Sequence, residues 1–134
     1  MSRQRSKGTR FETATVRALR AWLDDTENTI DRSPLRGTAD QGDIQGVKIH
    51  GTPVVLEAKN YSNYAGKLKQ WMTEARREAG NRDTPVWFVV FHQKGLGIDS
   101  LESMGAQPVL TDLKTLAWIA GHGIINDKEG PLES

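Results

Sequence analysis

Two short segments of the chain carry residue types that can hydrolyse a phosphodiester bond if they meet. Asp43 stands at the start of a predicted strand, and Glu57 and Lys59 stand in the next one. Two converging carboxylates repel each other, and a cation relieves that repulsion. A site of oxygen ligands selects Mg²⁺ or Mn²⁺. Such an ion polarises a phosphate oxygen and activates water, while a lysine offsets charge on the phosphate, so these residues predict metal-dependent phosphodiester hydrolysis.

The pairing register of the two strands decides whether these side chains share a face. Side chains alternate along a strand, which places Glu57 and Lys59 on one face, roughly 7 Å apart. A three-residue loop over 50–52 places Asp43 opposite Lys59, on that same face. A two-residue loop would put Asp43 on the other face, unless a bulge at Gly46 or at the glycine before Asp43 corrected the shift. An ordinary ion pair of Lys59 with either carboxylate is the simpler alternative.

Two further polar residues are candidates for the same site. Glu12 lies in line with apolar residues of the predicted first helix and so points toward the body of the protein. The pattern from Thr9 to Glu12 also fits a capping box at the start of that helix, and one carboxylate could serve both purposes. Gln70, on the second predicted helix, could reach the site or a phosphate, or could simply be solvated.

Hydrophobic periodicity and turn residues predict how the chain positions these side chains. We expect an α/β fold with a small mixed β-sheet flanked by helices, in the order α-β-β-β-α-β-β-α. The predicted elements are a helix over 9–25, strands over 30–32, 43–49 and 54–59, a helix over 64–79, strands over 86–91 and 108–110, and a helix over 111–121.

Composition limits the classes of function. The 134 residues include no cysteine and three histidines, which excludes thiolate chemistry and argues against a histidine zinc site. The longest apolar run, 86–91, is too short to span a bilayer, so we expect no membrane partner and a cytoplasmic location. The length fits one domain, placed over 9–122 between a flexible basic tail (1–8) and a C-terminal tail (123–134).

Basic side chains concentrate in two regions although the formal net charge is only +1. The first ten residues carry four cations and no acid, and the stretch 59–82 is also basic. Two basic regions flanking a carboxylate cluster suit a polyanionic substrate, although a solvated tail and an ordinary helix surface explain them equally well. The candidate cations for such a substrate are Arg3, Arg5, Lys7, Arg10 and Lys67.

The chain also resembles the PD-(D/E)xK nuclease superfamily, and within it the Holliday-junction resolvases of the archaeal type and their phage relatives. The likeness lies in Lys7 to Glu12, Gly42 to Ile44, Glu57 to Lys59, and Gln70. It covers about residues 7–92 and implies a restriction-endonuclease-like core. Gly42 stands where the superfamily often has proline, and the interval between Glu12 and Asp43 is longer than in the archaeal enzymes.

The resemblance implies roles for particular residues. The implied metal-associated carboxylates and catalytic lysine are Glu12, Asp43, Glu57 and Lys59. The backbone carbonyl of Ala58 would be a further metal ligand, and Gln70 stands where many members carry a glutamine. Arg32 or Arg36 would match a basic residue that contacts the phosphate backbone.

What the resemblance implies in function is a Mg²⁺-dependent DNA endonuclease, with Mn²⁺ as a substitute, that resolves four-way or other branched DNA in a prokaryotic or phage-infected cell. A junction has two-fold symmetry and needs two cuts, so a homodimer is expected. The C-terminal apolar residues Leu113, Leu116 and Trp118 could form its interface or belong to the core. Two alternatives remain open: a nuclease of the same fold acting on linear duplex or on repair and replication intermediates, and an inactive DNA-binding module.

Overall fold

The computed structural model describes residues 3–34, 42–126, 130 and 132. Its helices and strands follow the chain in the order α1 (Arg3–Trp22), β1 (Asp31–Arg32), β2 (Ile44–Gln45), β3 (Lys48–Ile49), β4 (Thr52–Pro53), β5 (Val55–Lys59), α2 (Leu68–Arg82), β6 (Trp87–Phe91), α3 (Leu101–Gly105), β7 (Val109–Leu110) and α4 (Leu113–Ala120). A single 3-10 turn (Ala65–Lys67) leads into α2.

Five of the strands form one mixed sheet in the order β1-β2-β5-β6-β7. The pairing of β5 with β6 is parallel, and the other three pairings are antiparallel. The predicted α/β fold with a small mixed sheet flanked by helices is therefore confirmed at that level. Helix α3 was not predicted. The predicted strand over 43–49 is divided into two strands: β2 belongs to the main sheet, and β3 pairs with β4 as a separate hairpin.

The central strand β5 is buried on both faces, because α1 covers one face of the sheet and α2 covers the other. Alternate side chains of β5 enter two different apolar clusters, as the alternation of a strand requires. The cluster on the α1 side includes Phe11, Val16, Ile44, Leu56, Ala58 and Val90. The cluster on the α2 side includes Val55, Trp71, Ala75, Trp87 and Val89.

Helix α1 begins at Arg3, six residues before the predicted start at Thr9. Residues 3–8 are thus helical, since arginine, glutamine and lysine are good helix formers and Gly8 alone does not end the helix. Thr9 lies inside the helix, where its carbonyl accepts a hydrogen bond from the Thr13 hydroxyl. The predicted capping box at Thr9 is therefore wrong, and Glu12 is free of that role.

The predicted three-residue loop is also wrong, because the turn between β3 and β4 has two residues. His50 and Gly51 both have positive φ (51° and 77°), and Ile49 pairs with Thr52. Continued without interruption, this pairing would set Ile44 opposite Glu57, whereas Ile44 lies opposite Leu56. A one-residue bulge therefore separates β2 from β3. It lies at Gly46 (φ 92°), one of the two positions that the sequence allowed.

None of the helices within the described ranges is both long enough and apolar enough to traverse a lipid bilayer.

Candidate active site

Asp43 is fixed in place at the end of β2 by backbone hydrogen bonds on two sides. Its amide donates to the Leu56 carbonyl at 3.0 Å, and its carbonyl accepts from the Ser33 amide at 2.7 Å. Its side-chain Oδ2 accepts from the Ala58 amide at 2.9 Å. The carboxylate of Asp43 thus lies against the peptide that joins Glu57 to Ala58. The predicted pairing of Asp43 with Lys59 is wrong, because the register of Ile44 with Leu56 sets Asp43 opposite Glu57.

The same hydrogen bond also orients the Ala58 carbonyl. The amide and carbonyl of one residue point to the same side of an extended strand. Because the Ala58 amide points at Asp43, the Ala58 carbonyl is directed to the Asp43 side of β5 as well. This is the orientation expected if that carbonyl belongs to the oxygen ligands of a metal.

Glu57 is a buried carboxylate with an unsatisfied oxygen. The residue is only 2% exposed, and its Oε1 has no hydrogen-bond partner in the described part of the chain. A buried charged oxygen without a partner is costly and needs an explanation. A bound cation would supply the missing partner.

Glu12 reaches the same region from the third turn of α1. Its Oε2 lies 2.9 Å from Nε of Arg32, which is at the end of β1. Partial burial and the nearby charge of Asp43 raise the pKa of the Glu12 carboxyl, and the Arg32 hydrogen bond and the charges of Arg32 and Lys59 offset this only in part. Asp43 and Lys59 therefore both act electrostatically on Glu12, although the three residues come from separate parts of the chain.

The ammonium group of Lys59 contacts α2 across the sheet face. Its Nζ lies 3.1 Å from Oε2 of Glu74, and Oε1 of Glu74 accepts from Nε2 of Gln70 at 3.1 Å. Burial disfavours the charged form of Glu74. The hydrogen bonds from Gln70 and Lys59 and the charges of Lys59 and Arg77 outweigh it, so the pKa of Glu74 is lowered. Lys59 thus does have an ion-pair partner, but on α2.

Sequence reasoning missed the role of Glu74. The available signal was its position one helical turn after Gln70, on a helix that directly follows the strand carrying Lys59. Nothing in the local pattern indicated that this helix face would pack over Lys59, because that contact depends on how α2 crosses from β5 to β6.

The residue types around Asp43 suit a hard divalent cation, although the protein alone does not supply a complete set of metal ligands. Among the described residues, no three carboxylate or imidazole groups stand together as a ready metal site. Mg²⁺ is commonly held by one or two carboxylates, with waters and substrate phosphates completing its shell. Asp43, the unpaired oxygen of Glu57 and the Ala58 carbonyl supply oxygen donors of this kind.

The other predicted contact residues are dispersed around the site. Arg32 joins it through Glu12, and Gln70 joins it through Glu74. Lys67 lies over the Tyr61 ring, with Nζ 5.2 Å from the centroid. The remaining predicted cations are Lys7 and Arg10 within α1, Arg3 and Arg5 in its first two turns, and Arg36, which is outside the described residues.

Comparison of the chain with protein-family models, with curated proteins and with solved structures found no significant match in any of the three. The function has to be inferred from the arrangement of the residues.

Proposed function

We propose that this chain is a metal-dependent DNA endonuclease with a restriction-endonuclease-like core, of the PD-(D/E)xK type, that cuts four-way or other branched DNA. The observation that carries the proposal is the contact of the Asp43 carboxylate with the Ala58 amide, between a buried Glu57 with an unpaired oxygen and Lys59. The element order supports it too: a helix, an antiparallel set of strands, and a helix that crosses to a parallel strand.

In this proposal Asp43, Glu57 and the Ala58 carbonyl hold Mg²⁺, for which Mn²⁺ substitutes. When bound, the ion polarises the scissile phosphate and lowers the pKa of the attacking water. Lys59 donates from Nζ to a non-bridging phosphate oxygen and offsets the charge that develops there. Glu12, held by Arg32, adds a carboxylate near Asp43.

A junction-cutting enzyme must cut two symmetry-related strands, so the proposal includes a homodimer. Leu113 and Leu116 of α4 are 80% and 55% exposed, which leaves apolar surface for a second copy. Linear duplex is the alternative substrate for the same chemistry. The complete set of Asp43, Glu57 and Lys59 argues against the inactive DNA-binding module.

The direct test is cleavage of a labelled four-way junction and of a linear duplex with the same arm sequences. We expect paired, symmetric nicks in the junction in the presence of Mg²⁺ and no cleavage with a chelator. Equal cutting of both substrates would keep the nuclease and remove the junction preference. Binding without cleavage in either Mg²⁺ or Mn²⁺ would favour the DNA-binding module.

Substitution of Glu57 separates metal binding from catalysis. Glu57→Gln and Asp43→Asn should each abolish cleavage, because each removes a metal-binding charge, while DNA binding survives. In metal-free buffer Glu57→Gln should raise stability by about 1 kcal/mol, since a neutral amide costs less to bury than an unpaired carboxylate. Addition of Mg²⁺ should raise the melting temperature of the natural chain but not of this variant. An equal Mg²⁺ response in both proteins would show that Glu57 is not a ligand.

A further inference from the structure

A groove runs along α1, and its walls do not include Asp43, Glu57 or Lys59. Its two parts have volumes of about 1090 Å³ and 460 Å³ and share Arg10, Ile98 and Asp99 in their walls. Helix α1 forms one wall, and the segment from Leu96 to Met104, which includes the start of α3, forms the other. We call this feature the α1 groove.

Three cations of α1 line the α1 groove on one side of the helix. Lys7, Arg10 and Arg17 all stand in its walls. Spacings of three and seven residues keep successive side chains on one face of an α-helix. The ten residue steps from Lys7 to Arg17 span about 15 Å along the helix axis, which is the axial rise of about four base pairs of DNA.

The positive charge of the α1 groove is largely unneutralised. Within the described ranges neither Arg10 nor Arg17 forms an ion pair, and both are exposed. Among the described residues, the Nζ of Lys7 contacts a neutral hydroxyl, that of Ser62 at 3.4 Å. Of the described residues that line the groove, Asp99 is the single carboxylate, so three cations face one acid. The charge balance therefore suits a polyanion.

One end of the α1 groove is tied to the candidate active site. Asn60, the residue after Lys59, is buried in the groove wall, and its Nδ2 lies 3.4 Å from the Lys7 carbonyl. His92, another wall residue, has Nδ1 3.1 Å from Oδ1 of Asn60 and stacks on Phe11 of α1. The end of β5, the end of β6 and α1 are thus held together at Asn60, the residue that follows Lys59.

We infer that the α1 groove binds the phosphate backbone of the DNA strand that leads to Lys59. This inference rests on the proposed nuclease function. Lys7, Arg10 and Arg17 contact successive phosphates, and Asn60 and His92 fix the groove relative to the reacting phosphate. The basic residues that contact DNA are accordingly held on one face of a helix, and they extend to Arg17, beyond the first ten residues of the chain.

The test measures DNA affinity without cleavage, using a fluorescent four-way junction in chelator at 50 to 200 mM KCl. The double variant Arg10→Gln/Arg17→Gln should flatten the slope of log K against log salt by about 2, because each phosphate contact contributes about 0.9. The control is Lys48→Gln/Lys94→Gln, which removes the same charge at two exposed positions outside the groove walls. It should change the slope by less than half as much.

Equal slopes for the groove variant and the control variant would overturn the inference. If the natural chain still cleaved the junction in Mg²⁺, the proposed nuclease function would stand and only the groove assignment would fail. If the natural chain neither bound nor cleaved DNA, both would fail together. Both substituted arginines are exposed, so an unchanged urea midpoint for each variant verifies that folding is not the cause.

Discussion

The candidate site contains more negative than positive charge. Its carboxylates are Glu12, Asp43, Glu57 and Glu74, and the cations beside them are Lys59, Arg32 and Arg77. An excess of carboxylates repels a phosphate, and a divalent cation offsets that repulsion. Burial and the nearby charge of Asp43 raise the pKa of Glu12.

At this scale Glu74→Gln should remove a pH-dependent part of the stability. The pKa of Glu74 is lower in the folded protein than in the unfolded chain, where it is about 4.3. Its contribution to the free energy of unfolding is therefore fully present above the unfolded pKa, and it is lost as the pH falls through the folded pKa. In urea unfolding, the free energy of unfolding of the natural chain should exceed that of the variant by up to about 1 kcal/mol at pH 6 to 7, and this difference should shrink as the pH falls below about 4.3. Parallel pH profiles would show that Lys59 and Gln70 do not stabilise the ionised carboxylate.

Sequence alone predicted part of this residue arrangement. The shared face of Glu57 and Lys59 follows from strand alternation, and the burial of Leu56 and Ala58 on the other face follows with it. The pairing of Lys59 with Glu74 could not be predicted in this way. It depends on the packing of α2 over the sheet, which has no local sequence signal.

At the scale of elements, the bulge between β2 and β3 decides the face on which Asp43 lies. Both loop lengths were compatible with the residues around Gly51, so the turn sequence left the register open. The register is fixed by a tertiary contact, because the backbone of Thr29 packs directly on Gly46. A Cβ at Gly46 would lie 2.1 Å from the Thr29 carbonyl oxygen.

Substitution of the two hairpin glycines tests this role of the bulge. Gly46→Ala should destabilise the protein by about 3 kcal/mol or more and abolish cleavage, because the clash adds to the strain of a positive φ. Gly51→Ala also has a positive φ but meets open space, so it should cost about 1 kcal/mol and leave cleavage intact. Urea unfolding and junction cleavage measure both. Similar losses at the two positions would refute the special role of Gly46.

At the scale of the whole molecule, the apolar residues of the C-terminal part divide between core and surface. Trp118 packs against the α1-side cluster, whereas Leu113 and Leu116 are largely exposed. Val109 and Ile124 are also exposed, at 56% and 81%. The sequence left open whether this segment was core or interface, since an amphipathic pattern does not identify what covers its apolar side.

The double variant Leu113→Gln/Leu116→Gln tests the proposed homodimer. Both side chains are exposed, so the fold should be retained while the dimer dissociates. Sedimentation equilibrium at 10 to 50 µM should give a dimer for the natural chain and a monomer for the variant. Junction cutting should change from paired nicks to single ones. A monomeric natural chain that still makes paired cuts would contradict the dimer.

The parallel pairing of β5 with β6 has a consequence for biosynthesis. The strand that carries Glu57 and Lys59 is completed by Lys59, but its parallel neighbour ends only at Phe91, after the whole of α2. Such non-local pairing cannot form until the later strand has left the ribosome. A nascent chain therefore carries every carboxylate of the site before β6 can complete the sheet around β5. We expect it to remain inert toward nearby nucleic acid until synthesis has passed the third quarter of its length.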